Sequence, residues 1–168
     1  MNGFHISEAG HAAVILPPQS ISGGKTAQAF SMAGYRHASI LIAAGAEATQ
    51  DASTLVLNVC SSAAGANPVA IPFNYYFQAL AGAGNDVLSA MNSALAAGLA
   101  LAVGNWPPNG LIIIEIDSAE LEAAGVTLGT DSYLQIVLGA PGAVDMATII
   151  AVLSGARDAH VSSSSVTV

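Results

Sequence analysis

The stretch Val69-Ala70-Ile71-Pro72-Phe73-Asn74-Tyr75-Tyr76-Phe77 alternates with a period of two. Val69, Ile71, Phe73, Tyr75 and Phe77 fall on one face, and Ala70, Pro72, Asn74 and Tyr76 on the other. Strict alternation of this kind marks a strand with one dry face. Pro72 has no N–H to give to a ladder, so the strand is expected at a sheet edge or a bulge.

The same period recurs along the chain from residue 26, in short segments separated by Gly, Asn, Asp, Ser and Pro. Leu111-Ile112-Ile113-Ile114-Glu115-Ile116-Asp117 alternates cleanly only at its end, so its first half reads as a central strand covered on both sides. Tyr133 to Leu138 and Thr148 to Leu153 are joined through Gly139-Ala140-Pro141-Gly142 and read as a hairpin. Ala38 to Ala43 and Thr54 to Cys60, on either side of the polar run Gly45 to Ser53, read as another. The fold class is therefore all-β, a mainly antiparallel β-sandwich of jelly-roll-like type with seven to eight strands. Phe73, Tyr75, Ile114, Ile136 and Ile150 are its expected core residues.

Two segments depart from the strand pattern. Asp117-Ser118-Ala119-Glu120-Leu121-Glu122 offers an N-cap with a glutamate three residues on, and Gly125 to stop the turn, which predicts one short connecting helix. Between Asp86 and Val103, Val87, Met91, Leu95 and Leu99 recur every four residues and fit an amphipathic helix. Gly98 and the flanking β segments speak for strand, and both readings stay open.

Residues 1–24 read as an extended N-terminal arm. His11-Ala12-Ala13-Val14-Ile15-Leu16 is apolar and extended-compatible, Pro17-Pro18 forbids helix, and Ser20 to Gly24 forms a hinge. Val14, Ile15 and Leu16 are the expected assembly contacts, against a neighbouring subunit or against the chain's own sheet edge. The sandwich then spans residues 25–157, and the serine-rich residues 158–168 read as a C-terminal tail.

Composition narrows the function classes. Only 8% of the 168 residues are charged, against roughly 25% in an ordinary soluble domain. A surface so poor in charge is expected to be covered by other protein copies, because exposed apolar area is normally an interface or an aggregation liability. Three basic residues against eleven acidic ones give a net charge of −8, which disfavours a direct nucleic-acid partner. The most apolar window, Leu88 to Gly104, is broken by Ser89, Asn92 and Ser93 and is rich in alanine, so no membrane-spanning segment is expected. Met1-Asn2-Gly3-Phe4-His5 carries no basic run, so no secretory signal is expected either. Cys60, the single cysteine, lies in an apolar run and reads as a small buried hydrophobe. The chain also carries 34 alanines, whose small side chains allow sheets or neighbouring subunits to approach closely.

Motifs that would carry chemistry are incomplete. Gly23-Gly24-Lys25-Thr26 resembles the end of a phosphate-binding loop, but Gln19 stands where the first glycine is needed and Pro17-Pro18 occupies the approach. His5, Glu8 and His11 lie close together without metal-ligand spacing, and Glu47, Gln50 and Asp51 lack a dense oxygen-ligand loop. No Gly-x-Ser-x-Gly elbow exists, and Ser154-Gly155 ends a strand instead of opening a helix. Glu115 and Asp117 project from the same strand face and read as exposed carboxylates. Trp106, between Asn105 and Pro107-Pro108, is read as a packing plug with a ligand contact as the alternative. No catalytic, metal or cofactor site is expected, and the chain is not expected to be an enzyme.

Three strand phrases carry a resemblance: Arg36-His37-Ala38-Ser39-Ile40-Leu41-Ile42 followed by Gly45-Ala46, then Ile114-Glu115-Ile116-Asp117 with Glu120-Leu121, and Ala151-Val152-Leu153-Ser154-Gly155-Ala156-Arg157. Over about residues 30 to 160 the chain resembles small virion structural proteins of tailed bacteriophages. The resemblance implies a head decoration or cement protein located in the virion and assembled in the host cytoplasm. Its partners would be the major capsid protein and neighbouring copies of itself, with a trimer as the implied association. A tail or baseplate component, and a host-surface or carbohydrate-binding β-sandwich module, are the alternatives.

Overall fold

The computed structural model describes residues 10–45, 53–78, 87–101, 106, 109–123, 125–126, 133–141 and 146–156. Among these are twelve strands. They are β1 (Gly10–Ser20), β2 (Lys25–Thr26), β3 (Phe30–Ser31), β4 (Tyr35–Ala44), β5 (Ser53–Cys60), β6 (Val69–Ile71), β7 (Phe73–Gln78), β8 (Asn92–Ala94), β9 (Leu99–Leu101), β10 (Leu111–Asp117), β11 (Tyr133–Leu138) and β12 (Met146–Ala156). One short helix, α1 (Ser118–Ala123), follows β10.

The strands form two antiparallel sheets. Sheet A runs β1-β12-β4-β10-β7-β8, and sheet B runs β2-β11-β5-β6, with β3 also on β11 and β9 also on β5. The pairings are nested. β1 pairs with β12, β2 and β3 with β11, β4 with β10, and β5 with β6. Nesting of this kind, with successive strands passing between two facing sheets, is the topology of a jelly roll, so the all-β sandwich expected from alternation is what the chain forms.

Strand count and connectivity differ from expectation. The number is twelve instead of seven or eight because both edges of sheet B are interrupted: β2 and β3 share one side of β11, and β6 and β9 share one side of β5. The β7–β8 pair then widens sheet A. Neither expected hairpin forms. β4 lies in sheet A and β5 in sheet B, and β11 lies in sheet B while β12 lies in sheet A. A turn-rich connection fits a crossing between sheets as well as a hairpin, and the nested pairing takes it across.

Pro72 marks one such crossing. The alternating run is two strands, β6 in sheet B and β7 in sheet A, and Pro72 stands between them. Ile71, Phe73 and Tyr75 stay buried through the corner, while Val69 is exposed. Between the sheets, Ile40, Ile42, Ile112, Ile114 and Ile149 of sheet A face Leu55, Leu57, Leu134, Ile136 and Leu138 of sheet B, all fully buried within one core. Ile150 is not among them. The register of β12 points Ile149, Ala151 and Leu153 inward and leaves Ile150 half-buried on the outside.

The described part of the expected arm, from Gly10, is a strand of the sandwich itself. The β1 register against β12 shifts between Val14 and Leu16 and again between Leu16 and Gln19. The first shift is a bulge that turns two consecutive side chains, Ile15 and Leu16, into the chain's own core, and leaves Val14 59% exposed. The second coincides with Pro17-Pro18, which cannot donate to the ladder. Gly24, at a positive φ, closes the turn into β2, with its N–H on the Ile21 carbonyl. Residues 1–9 and 157–168, and with them His5, Glu8 and the expected tail, lie outside the described residues, as do Glu47, Gln50 and Asp51.

Helix α1 starts as expected. The Asp117 backbone N–H donates to Glu120 Oε2 at 3.0 Å, one half of a capping box, and Gly125 at φ +82° ends the turn with its N–H on the Glu122 carbonyl. No helix forms over residues 87–101. Asn92–Ala94 pairs with β7 and Leu99–Leu101 with β5. A turn closes between them through the Gly98 N–H and the Leu95 carbonyl. Gly98 adopts φ +99°, and a Cβ there would stand 2.7 Å from the Leu55 carbonyl oxygen, so the chain must turn against β5 at a residue without a side chain. Of the repeat that suggested an amphipathic helix, Val87, Met91 and Leu95 are exposed and Leu99 is buried.

Candidate functional site

The outer face of sheet A collects the most coherent set of unburied side chains. Cross-strand register builds it row by row. Val14, Ile150, Leu41, Ile113 and Tyr76 stand opposite one another in turn on β1, β12, β4, β10 and β7. The result is an apolar belt running at right angles to the strands. Four of the five are half-buried by their neighbours and Val14 is exposed. On one side of the belt lies the row Thr148, Ala43, Leu111 and Gln78. On the other lies Ala12, Val152, Ser39, Glu115, Asn74 and Ser93, followed by Gly10, Ser154, His37 and Asp117.

Sheet B presents a different exterior. Its outward rows are Thr26, Val137 and Val56, then Gln135, Asn58 and Ala70, then Thr54 and Ala100. Small and polar residues break any apolar stripe there. The turn around Gly65 also folds over Gln135, which is buried and accepts from the Cys60 thiol at 3.8 Å. Burial pushes the Cys60 thiol above its ordinary range, as expected of an inert buried cysteine.

The charged end of sheet A is a connected network. His37 Nδ1 lies 2.9 Å from Asp117 Oδ1, and His37 Nε2 lies 2.6 Å from Glu115 Oε2. Ser39 Oγ donates to the same Glu115 oxygen at 2.7 Å. A neutral imidazole has one N–H, so only the protonated ring can donate to both carboxylates. Burial by itself would pull the His37 pKa down. Hydrogen bonds to Asp117 and Glu115, together with their charges, outweigh it and hold the pKa above the ordinary 6.5.

Asp117, His37 and Ser39 stand in the order of a hydrolase triad, and Ser39 Oγ is 3.3 Å from His37 Nε2. The geometry nevertheless favours a structural role. Glu115 takes the short contact with Nε2 and also accepts the Ser39 proton, so the imidazole is not free to act as base toward the hydroxyl. The three side chains lie on a sheet face where the backbone N–H groups of β4 and β10 are engaged with carbonyls in the antiparallel ladders, so these strands offer no free donors for an oxyanion.

A groove of about 300 Å³ opens beside this face, between α1 and the β7–β8 pair, lined by Ile71, Phe73, Ile116 and Leu121. Asn74 crosses its mouth, accepting from Ser93 Oγ at 2.8 Å and donating to Glu120 Oε1 at 3.4 Å. Its lining is mainly apolar, with these polar groups already engaged with one another.

The residues singled out from sequence separate as follows. Phe73, Tyr75, Ile114 and Ile136 lie in the core, as do Ile15 and Leu16, while Val14 and Ile150 lie together on the belt. Trp106 is 7% exposed and packs into the core. Lys25 and Thr26 form β2 and His11 lies in β1. Glu115 and Asp117 share a strand face as expected, but His37 and Ser39, which join them, were not anticipated. Their shared face was visible in the two-residue spacing, whereas a pairing nearly eighty residues away was not.

The chain matches no known family model and no curated protein.

Proposed function

We propose that the chain is a virion structural protein of a tailed bacteriophage, a head decoration or cement protein that binds across major capsid protein subunits and strengthens the shell. The observation that carries this reading is a jelly-roll sandwich whose sheet A packs the core with one face and on the other carries a five-strand apolar belt between polar rows. Such a face suits a subunit that functions among neighbours. The low charge content and the strand phrases around Arg36, Ile114 and Ala151 support the same reading. The mechanism is binding without turnover. Added interface across the joints between subunits opposes the outward pressure of packaged DNA, and each large apolar side chain covered contributes on the order of 1.5–3 kcal/mol.

Co-sedimentation of the purified chain with shells of the major capsid protein tests this. Saturable binding at a fixed ratio to shell subunits, with a raised temperature of shell disruption, is the expected result. Absence of binding at concentrations well above micromolar overturns it.

A further inference from the structure

An open sheet ends in strands whose outer N–H and C=O groups have no neighbour, and proteins guard such edges with short strands, proline, bulges or charge. Among the described strands, three of the four edges are guarded by shortness. Sheet A ends in β8, 3 residues long, and sheet B ends in β2 and β3, 2 residues each, on one side and in β6 and β9, 3 residues each, on the other. The fourth edge is β1, 11 residues long. Its second half is guarded by the bulge at Ile15 and by Pro17-Pro18, but Gly10 to Val14 runs in unbroken register along β12 and carries no proline, lysine, arginine or carboxylate. We infer that this stretch is the surface by which two copies of the chain join, edge to edge and antiparallel, on a two-fold axis at Ala12. This concerns contacts between copies and does not depend on the shell reading.

The phase of the ladder decides which groups the edge offers. The Gly45 N–H donates to the Met146 carbonyl at 2.8 Å, and the β4–β12 register runs from there without a shift. In β12, Thr148, Ile150, Val152 and Ser154 therefore turn their N–H and C=O groups toward β4, and Ala151 and Leu153 turn theirs toward β1. Ala13 and His11 stand opposite these two and complete the ladder. Gly10, Ala12 and Val14 are left pointing their N–H and C=O groups away from the sheet. The next outward carbonyl, that of Ile15, accepts from the Gln28 N–H at 2.9 Å, so the chain itself closes the edge at the bulge and leaves it open before it.

Symmetry indicates the occupant. With the axis at Ala12, each Ala12 faces its own mate and each Gly10 faces Val14 of the other copy, and every such pair exchanges two hydrogen bonds. This register uses all the outward residues. An axis at His11 or Ala13 leaves one of them without an opposite number inside the stretch. The same axis sets His11 beside Ala13 of the other copy, so the two imidazoles stay apart and no like charges meet. Val14, 59% exposed at the end of the belt, comes against Gly10 and, diagonally, Ala12 of the other copy. The contact is isologous, and an edge of this kind is complementary to a second edge like itself. It is also narrow. Main-chain hydrogen bonds give the pairing its register, and the association belongs to the weak, reversible class.

Sedimentation equilibrium of the full chain, from low micromolar to hundreds of micromolar in roughly 0.15 M salt to screen the repulsion between two copies of charge −8, is the first half of the test. A reversible dimer is expected. Ala12→Pro removes only an outward N–H and leaves the β1–β12 ladder its hydrogen bonds, so it is expected to weaken the dimer about 10-fold or more through the two bonds lost at the axis. Far-ultraviolet circular dichroism and a cooperative thermal melt establish that the variant is folded. The second half is Ala12→Cys, which serves whether or not the proline variant folds. Opposed residues of a hydrogen-bonded pair stand about 5.5 Å apart at Cα, within reach of a disulfide. Mild oxidation is expected to link two copies through residue 12, whereas Thr54→Cys, exposed on the exterior of sheet B, and the parent chain with its buried Cys60 are expected to stay unlinked. A monomer at every concentration, a trimer, a dimer indifferent to a folded Ala12→Pro, or a disulfide at residue 12 no faster than at residue 54 overturns the inference. Each of these outcomes is read without capsid shells, so it is separate from the result of co-sedimentation.

Discussion

His37 reaches diagonally across the β4–β10 ladder to Glu115, with Nε2 2.6 Å from Oε2, while its other ring nitrogen holds Asp117 on the directly opposite position. One cation thereby offsets two carboxylates that would otherwise repel each other two residues apart on a single strand.

This arrangement predicts a pH dependence whose sign follows from the raised His37 pKa. A histidine with a higher pKa in the folded state binds its proton more tightly there than in the unfolded chain. Its contribution is fully present below the unfolded pKa of about 6.5 and is lost as pH rises through the folded value. Urea midpoints measured at intervals from pH 6 upward should fall across that window, and His37→Gln should flatten the fall. An unchanged slope in His37→Gln would assign the pH dependence to other groups.

The alternation along β12 predicts opposite sensitivities for adjacent isoleucines. Ile149 is fully buried between the sheets, so Ile149→Ala should cost about 2–5 kcal/mol. Ile150 is half-buried on the belt, and Ile150→Ala should cost roughly 1 kcal/mol when unfolding is measured at low protein concentration. Equal costs would contradict the register of β12 against β4.

Gly98 should tolerate no side chain. Its φ of +99°, and the 2.7 Å that would separate an added methyl group from the Leu55 carbonyl oxygen, predict that Gly98→Ala destabilises by about 1–3 kcal/mol. Chemical denaturation would show this as a lowered midpoint, and a neutral result would mean that the β8–β9 turn can move away from β5.

Cys60 is buried beside Gln135 with its thiol pushed up by desolvation, so it should resist aromatic disulfide reagents in the native chain. Full reaction should follow only in denaturant. Rapid modification of the native protein would place the thiol nearer the surface.

Period-two alternation made the fold class legible because it reports which side of a strand is dry. It does not report which sheet the strand joins. Ile71 and Phe73 read as one continuous face, and they do share a core, yet Pro72 between them is where the chain changes sheets. The segments Ala38 to Ala43 and Thr54 to Cys60 read as neighbours for the same reason and lie on opposite layers. At Ile15 and Leu16 the bulge breaks the period, so an apolar pair that resembled an external arm is core. The charged network was half visible: Glu115 and Asp117 share a face by spacing, but His37 joins them only through strand pairing between distant segments.

The last described strand has a further consequence. β12 lies between β1 and β4, with its Ser154 opposite Gly10 on one side and His37 on the other. Until β12 arrives, β1 has no partner among the described strands of sheet A and β4 lacks one of its two neighbours. Most pairings in this topology close long loops, so a large entropy loss precedes the contacts that repay it. Folding on the ribosome must therefore wait for nearly the whole described sequence to emerge, and the nascent chain spends that interval with its apolar strands unpaired and open to chaperones or to aggregation.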